Sequence, residues 1–70
     1  MNSKKGQLLT LCLESVKRDF MGVFKVVALI NKIPYTFYIN SEYAVRKTEE
    51  LIKKHRPGRA LKLLKDFNIK

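Results

Sequence analysis

Leu8-Leu9-Thr10-Leu11-Cys12-Leu13-Glu14-Ser15-Val16-Lys17-Arg18-Asp19-Phe20 is the stretch whose conformation decides the fold. Wound as a helix, it gathers Leu8, Leu9, Cys12, Leu13, Val16 and Phe20 into an arc of roughly 140°. Gln7, Thr10, Glu14, Lys17 and Arg18 fall opposite, and Leu11 is the one bulky residue off the stripe. Drawn out as a strand, Leu9, Leu11 and Leu13 alternate well, but strict alternation then puts Ser15 and Lys17 on the apolar face. The helix accommodates more positions, and leucine favours helices over strands. The expectation is therefore a helix over 7–20, stopped by Gly22, with a third strand over 8–13 as the alternative. The polar, basic residues 1–6 read as a frayed end.

C-terminal to this stretch, Val23-Phe24-Lys25-Val26-Val27-Ala28-Leu29-Ile30 is β-branched and aromatic, which predicts a strand over 22–31. Phe24, Val26, Ala28 and Ile30 share one face. Val23, Lys25, Val27 and Leu29 share the other, also mostly apolar, so both faces are expected to be covered. Asn31-Lys32-Ile33-Pro34 reads as the turn of a hairpin whose second strand spans 35–40, with Tyr35, Phe37 and Ile39 on one side and Thr36 and Tyr38 on the other. Tyr38, Thr36 and Lys25 together resemble a base-stacking sheet surface. Packing of Tyr38 against the first helix is the preferred expectation.

Asn40-Ser41 supplies capping side chains for a helix over 41–55, with Glu42 near its positive end. Ala44, Val45, Thr48, Leu51, Ile52 and His55 line one side. Glu42/Arg46, Glu49/Lys53 and Glu50/Lys54 pair at i,i+4 on the other. Arg56-Pro57-Gly58 breaks this helix, and Pro57 suits the first position of another over 57–67. There Ala60, Leu61, Leu64 and Phe67 face inward, and Ile69 in the tail tucks back.

Seventy residues make one domain at most, and a chain this short has a marginal core. One cysteine and one histidine exclude an internal disulfide and a four-ligand structural zinc site. No early run has the order of a signal peptide, and no apolar run approaches the roughly 20 residues that span a bilayer. A cytoplasmic protein without membrane attachment is expected.

The net charge of +9 calls for an anionic partner. Lys53, Lys54, Arg56, Arg59, Lys62 and Lys65 crowd the Pro57-Gly58 break with no acid between Leu51 and Lys65. With Gly58, whose neighbouring amides open the last helix, they are the candidate phosphate-binding residues. A solvated basic face is the plainer alternative. A DNA-binding helix-hairpin-helix turn carries a second glycine where Ala60 stands here, which favours an ordinary helical corner. The strand-helix-helix order from Tyr35 to Phe67 is similar to ribbon-helix-helix repressors in element order alone, since the strand carries Tyr and Thr instead of base-reading Arg, Asn or Gln.

Cys12 and His55 are the conventional nucleophile and base. Both lie on predicted apolar stripes, where cysteine packs as a small hydrophobe and a histidine at a helix end is half buried or more. Five of the six carboxylates sit on exposed faces of predicted helices, which does not tune them for acid–base work. The sequence thus predicts a small α+β domain ordered helix-strand-strand-helix-helix, a hairpin covered by an N-terminal helix and two C-terminal ones. It predicts no enzyme activity, cofactor or metal. The expected partner is nucleic acid, DNA or RNA, contacted through phosphates with low sequence specificity. An acidic protein is the alternative partner, and a homodimer through the β-hairpin is expected at high concentration.

Overall fold

The computed structural model describes residues 8–69. Its elements are β1 (Leu11–Arg18), β2 (Phe24–Ile30), β3 (Ile33–Ile39), α1 (Glu42–Lys53) and α2 (Pro57–Phe67). The strands form one antiparallel sheet in the order β1-β2-β3. The expected N-terminal helix is a strand, so the order is strand-strand-strand-helix-helix, still within the small α+β class. The frayed end expected at 1–6 lies outside the described residues.

A β-bulge interrupts the alternation of β1. Leu11, Cys12 and Leu13 pair with Ile30, Leu29 and Ala28, and the register then skips Glu14, so that Ser15 pairs with Val27 and Val16 with Val26. One extra residue on β1 changes the phase of the side chains by one position. Leu11, Leu13 and Val16 consequently share the face of β2 that carries Phe24, Val26, Ala28 and Ile30. Ser15 and Lys17, which strict alternation places among the leucines, go to the other face with Cys12. The bulge thus brings Leu13 and Val16, three apart as on a helix, to one face of a strand, while Leu8 and Phe20 of the expected helical stripe are exposed. Cys12 is exposed instead of lying mid-stripe.

Two turns join the strands. Asp19 to Gly22 is a type I turn, with the Gly22 amide donating to the Asp19 carbonyl at 3.2 Å and Gly22 at φ +86. The Asp19 carboxylate accepts from the amides of Met21 at 2.8 Å and Val23 at 3.0 Å, which fixes the loop. Gly22 therefore closes a hairpin and ends no helix. Its tip carries Phe20 and Met21, 98% and 75% exposed. The second turn is just Asn31-Lys32, at φ +54 and +71, the two-residue type I′ geometry that matches strand twist. Ile33 and Pro34, expected in the turn, belong to β3. The Asn31 side chain also accepts from the Thr10 amide at 2.9 Å, while the Asn31 amide donates to the Thr10 carbonyl at 2.9 Å. This clamp extends the β1–β2 pairing past Leu11.

Ser41 caps α1, its hydroxyl accepting from the Ala44 amide at 3.2 Å. The core unites the inner sheet residues Leu11, Val26, Ala28, Phe37 and Ile39 with Ala44 and Val45 of α1 and Ala60 and Leu64 of α2. Both helices therefore lie on one face of the sheet. Thr48 is fully buried among them, and its hydroxyl donates to the Ala44 carbonyl at 2.8 Å, so no polar atom there is stranded. Full burial of side chains the size of Leu64 and Ile39 contributes about 1.5–3 kcal/mol each.

Among the described residues, no helix lies on the outer face of the sheet. This corrects the expectation that Tyr38 packs against one and that β2 is covered on both sides. Asn68 and Ile69 close one sheet edge. Tyr38 donates its amide to the Asn68 Oδ1 at 2.9 Å and accepts from the Ile69 amide at 2.8 Å, an antiparallel bridge beside Ile39. The Ile69 side chain itself stays 52% exposed.

Candidate functional site

The basic residues singled out in the sequence all belong to the α1–α2 corner and the outer side of α2. The corner is built differently from the expected Pro57-Gly58 turn. Lys54 caps α1, and His55 takes the left-handed conformation at φ +58. The His55 amide donates to the Ile52 carbonyl at 3.0 Å and the Arg56 amide to the Leu51 carbonyl at 2.9 Å. These are the two bonds of a Schellman motif, with histidine where glycine usually stands. Chain reversal therefore rests on His55. Gly58 lies inside the first turn of α2, where a Cβ would meet nothing within 4 Å. His55 is exposed, which corrects its expected burial against α2. Cys12 is on β1 and His55 beyond the end of α1, and no bond joins them among the described residues.

Lys53, Lys54, Arg56, Arg59, Lys62 and Lys65 are all exposed. Their electrostatic surroundings divide them. Lys54 binds Glu50 at 2.9 Å, and Lys62 binds Asp66 at 3.5 Å. Lys53, Arg56, Arg59 and Lys65 pair with no carboxylate among the described residues. Glu49, the expected partner of Lys53, lies instead 3.7 Å from Arg46. The Lys54 ammonium, hydrogen-bonded to Glu50, with Lys47 beside it, holds the Glu50 carboxyl below its ordinary range.

The four unpaired cations are not equivalent. Lys53 sits in the last turn of α1, where the helix dipole favours positive charge. Arg56 is the N-cap of α2 and Arg59 lies in its first turn, where the dipole opposes it. No acid occupies that turn, and no side chain caps it. Arg59 and Lys62 also line a groove between the helices, facing Tyr43, Lys47 and Leu51 of α1. The sequence reading left out Lys47 and Tyr43, because nothing local to α1 says which of its exposed residues face α2. Tyr43 stands 66% exposed at the groove.

No protein-family model matches the chain, and no curated protein or solved structure is significantly similar to it. Among the described residues, no group of three or more His, Cys, Asp or Glu side chains is placed to hold a metal ion. No helix among them is long and apolar enough to cross a membrane.

Proposed function

We propose that this chain is a small nucleic-acid-binding protein of the cytoplasm, without chemistry of its own, which grips phosphates at the α1–α2 corner. One observation carries the reading. Arg56 and Arg59 flank the start of α2 with the sign that destabilises a helix N-terminus, and no carboxylate among the described residues offsets them. An external anion there satisfies both guanidinium groups and the first-turn amides together. Lys53 and Lys65 extend the footprint, and Lys54 and Lys62 join it on release from Glu50 and Asp66. The cluster holds no Asn or Gln, so recognition is of the backbone and not of base edges. The lone exposed thiol, Cys12, suits a reducing compartment.

The test is a salt titration against duplex DNA, single strands and structured RNA. Four phosphate contacts give log K against log salt a slope of about −3.6 on duplex DNA. Arg56→Ala with Arg59→Ala weakens duplex binding on every sequence and flattens the slope by about two units. Unchanged affinity and slope in that variant would refute the reading and turn attention to an acidic protein in the Tyr43 groove.

A further inference from the structure

The outer face of the sheet is on the opposite side of the domain from the helices, and its composition is unusual. Lys17 of β1 and Lys25 of β2 are direct register partners, and Tyr38 of β3 is the partner of Lys25 on its other side. Lys17, Lys25 and Tyr38 thus form one row across three strands. The next row is Ser15, Val27 and Thr36. Like charges placed directly opposite each other on a sheet are unfavourable. Both lysines are exposed, and neither forms an ion pair among the described residues. Glu14, at the bulge, is exposed and pairs with nothing there either, and the Asp19 carboxylate is engaged by backbone amides. The half-buried Tyr38 makes no side-chain hydrogen bond among the described residues, so its hydroxyl is not anchored.

From this row we infer that the outer sheet face is a second nucleic-acid surface, separate from the helical corner, and that its occupant is a single strand. Phosphates bridging Lys17 and Lys25 remove the repulsion between them, and a base stacks on Tyr38. A duplex is the poorer occupant. The major groove admits a helix or a two-stranded ribbon, whereas this is a three-stranded face whose short Ser15, Val27 and Thr36 side chains do not reach base edges. A second copy of the chain is also disfavoured, because face-to-face contact would bring four lysines together. The inference shares with the proposed function the view that the partner is nucleic acid, but it rests on different residues.

The experiment uses a fluorescent oligo-dT and a fluorescent duplex, each titrated at about 50 mM salt. The proteins are the full chain and its Arg56→Ala/Arg59→Ala form. In both, Lys17→Glu is expected to weaken oligo-dT binding at least tenfold while raising the melting temperature, since it turns a like-charged cross-strand pair into an opposite one. Tyr38→Leu is expected to weaken oligo-dT binding about tenfold, and Tyr38→Phe to leave it unchanged, because stacking needs the ring and not the hydroxyl. Duplex affinity follows the corner variants and ignores the sheet variants. If Arg56→Ala/Arg59→Ala leaves duplex binding intact while the sheet variants lose oligo-dT, the corner reading fails and this one stands. If oligo-dT affinity is indifferent to Lys17→Glu and Tyr38→Leu, the sheet surface is refuted and the corner is unaffected. Vesicles rich in phosphatidylserine serve as the control: loss of vesicle binding without loss of oligo-dT binding in Lys17→Glu would also overturn the inference.

Discussion

Arg56 donates its backbone amide to the carbonyl of Leu51, 2.9 Å away, over a histidine held at φ +58. Left-handed backbone costs a residue with a Cβ about 1–2 kcal/mol, and glycine almost nothing. His55→Gly should therefore stabilise the domain by about 1 kcal/mol, raising its melting temperature by about 4–8 °C. His55→Val should do the reverse. A glycine variant no more stable than the parent in urea titrations would show that the corner does not carry this strain.

Glu14 has no partner across the β1–β2 ladder. Deleting it removes the bulge and leaves every observed pair from Leu11 to Arg18 in register. The deletion is expected to fold, with Val16 still in the core and with stability changed by about 1 kcal/mol, the scale of an ordinary point change. Deleting Val27, the residue opposite the bulge, puts Leu29 and Lys25 out of phase with each other and should unfold the sheet. Circular dichroism and denaturant titration distinguish the two. If the Glu14 deletion also unfolds, the bulge itself is needed for strand twist.

Arg59→Glu puts an acid into the first turn of α2 and removes a cation from it. The helix should gain about 0.3–1 kcal/mol, while nucleic-acid affinity at the corner falls. Stability and binding moving in opposite directions is the signature expected of a charge placed for a partner. A variant that loses both would mark Arg59 as structural.

Glu50 contributes one pH-dependent increment to stability. Its hydrogen bond from Lys54, with the nearby Lys47 charge, lowers its folded pKa. A depressed carboxylate contributes stability above its unfolded value, ordinarily about 4.3, and loses it as pH falls through the folded value. The stability difference between the parent and Glu50→Gln should be present at neutral pH and vanish in acid. The pair is exposed, so added salt should shrink the difference. A difference that persists in acid would assign the effect to packing.

What could be read from the sequence follows from how local each signal is. Alternation in Phe24–Ile30 gives the strand and sorts its residues onto two faces, because every residue there has a partner at period two. With Val23, Val27 and Leu29 on the second face, it does not say which face the helices cover. The same rule misleads at Leu11–Arg18, since one unpaired residue in its middle turns a strand's spacing into one that also fits a helix. Ser41 is legible as a cap from its own chemistry, whereas His55 is not legible as a turn residue, because nothing in its side chain asks for a positive φ. Lys32 is similar, standing where a two-residue turn usually has glycine. The basic corner was visible as composition. Which of its cations are paired depends on rotamers and on Asp66 and Glu50, and spacing alone gave Glu49 to Lys53.

The far edge of β3 bears on how the domain meets other chains. Its outward positions are Pro34, Thr36 and Tyr38, alternating with the residues bonded to β2. Pro34 has no amide hydrogen, and that of Tyr38 is occupied by Asn68. An incoming strand finds one free donor, at Thr36, where an unguarded edge would offer three. Growth of the sheet into fibrils by strand addition is blocked there by a ring nitrogen and one asparagine amide, and Asn68→Ala reopens the end nearer the helices.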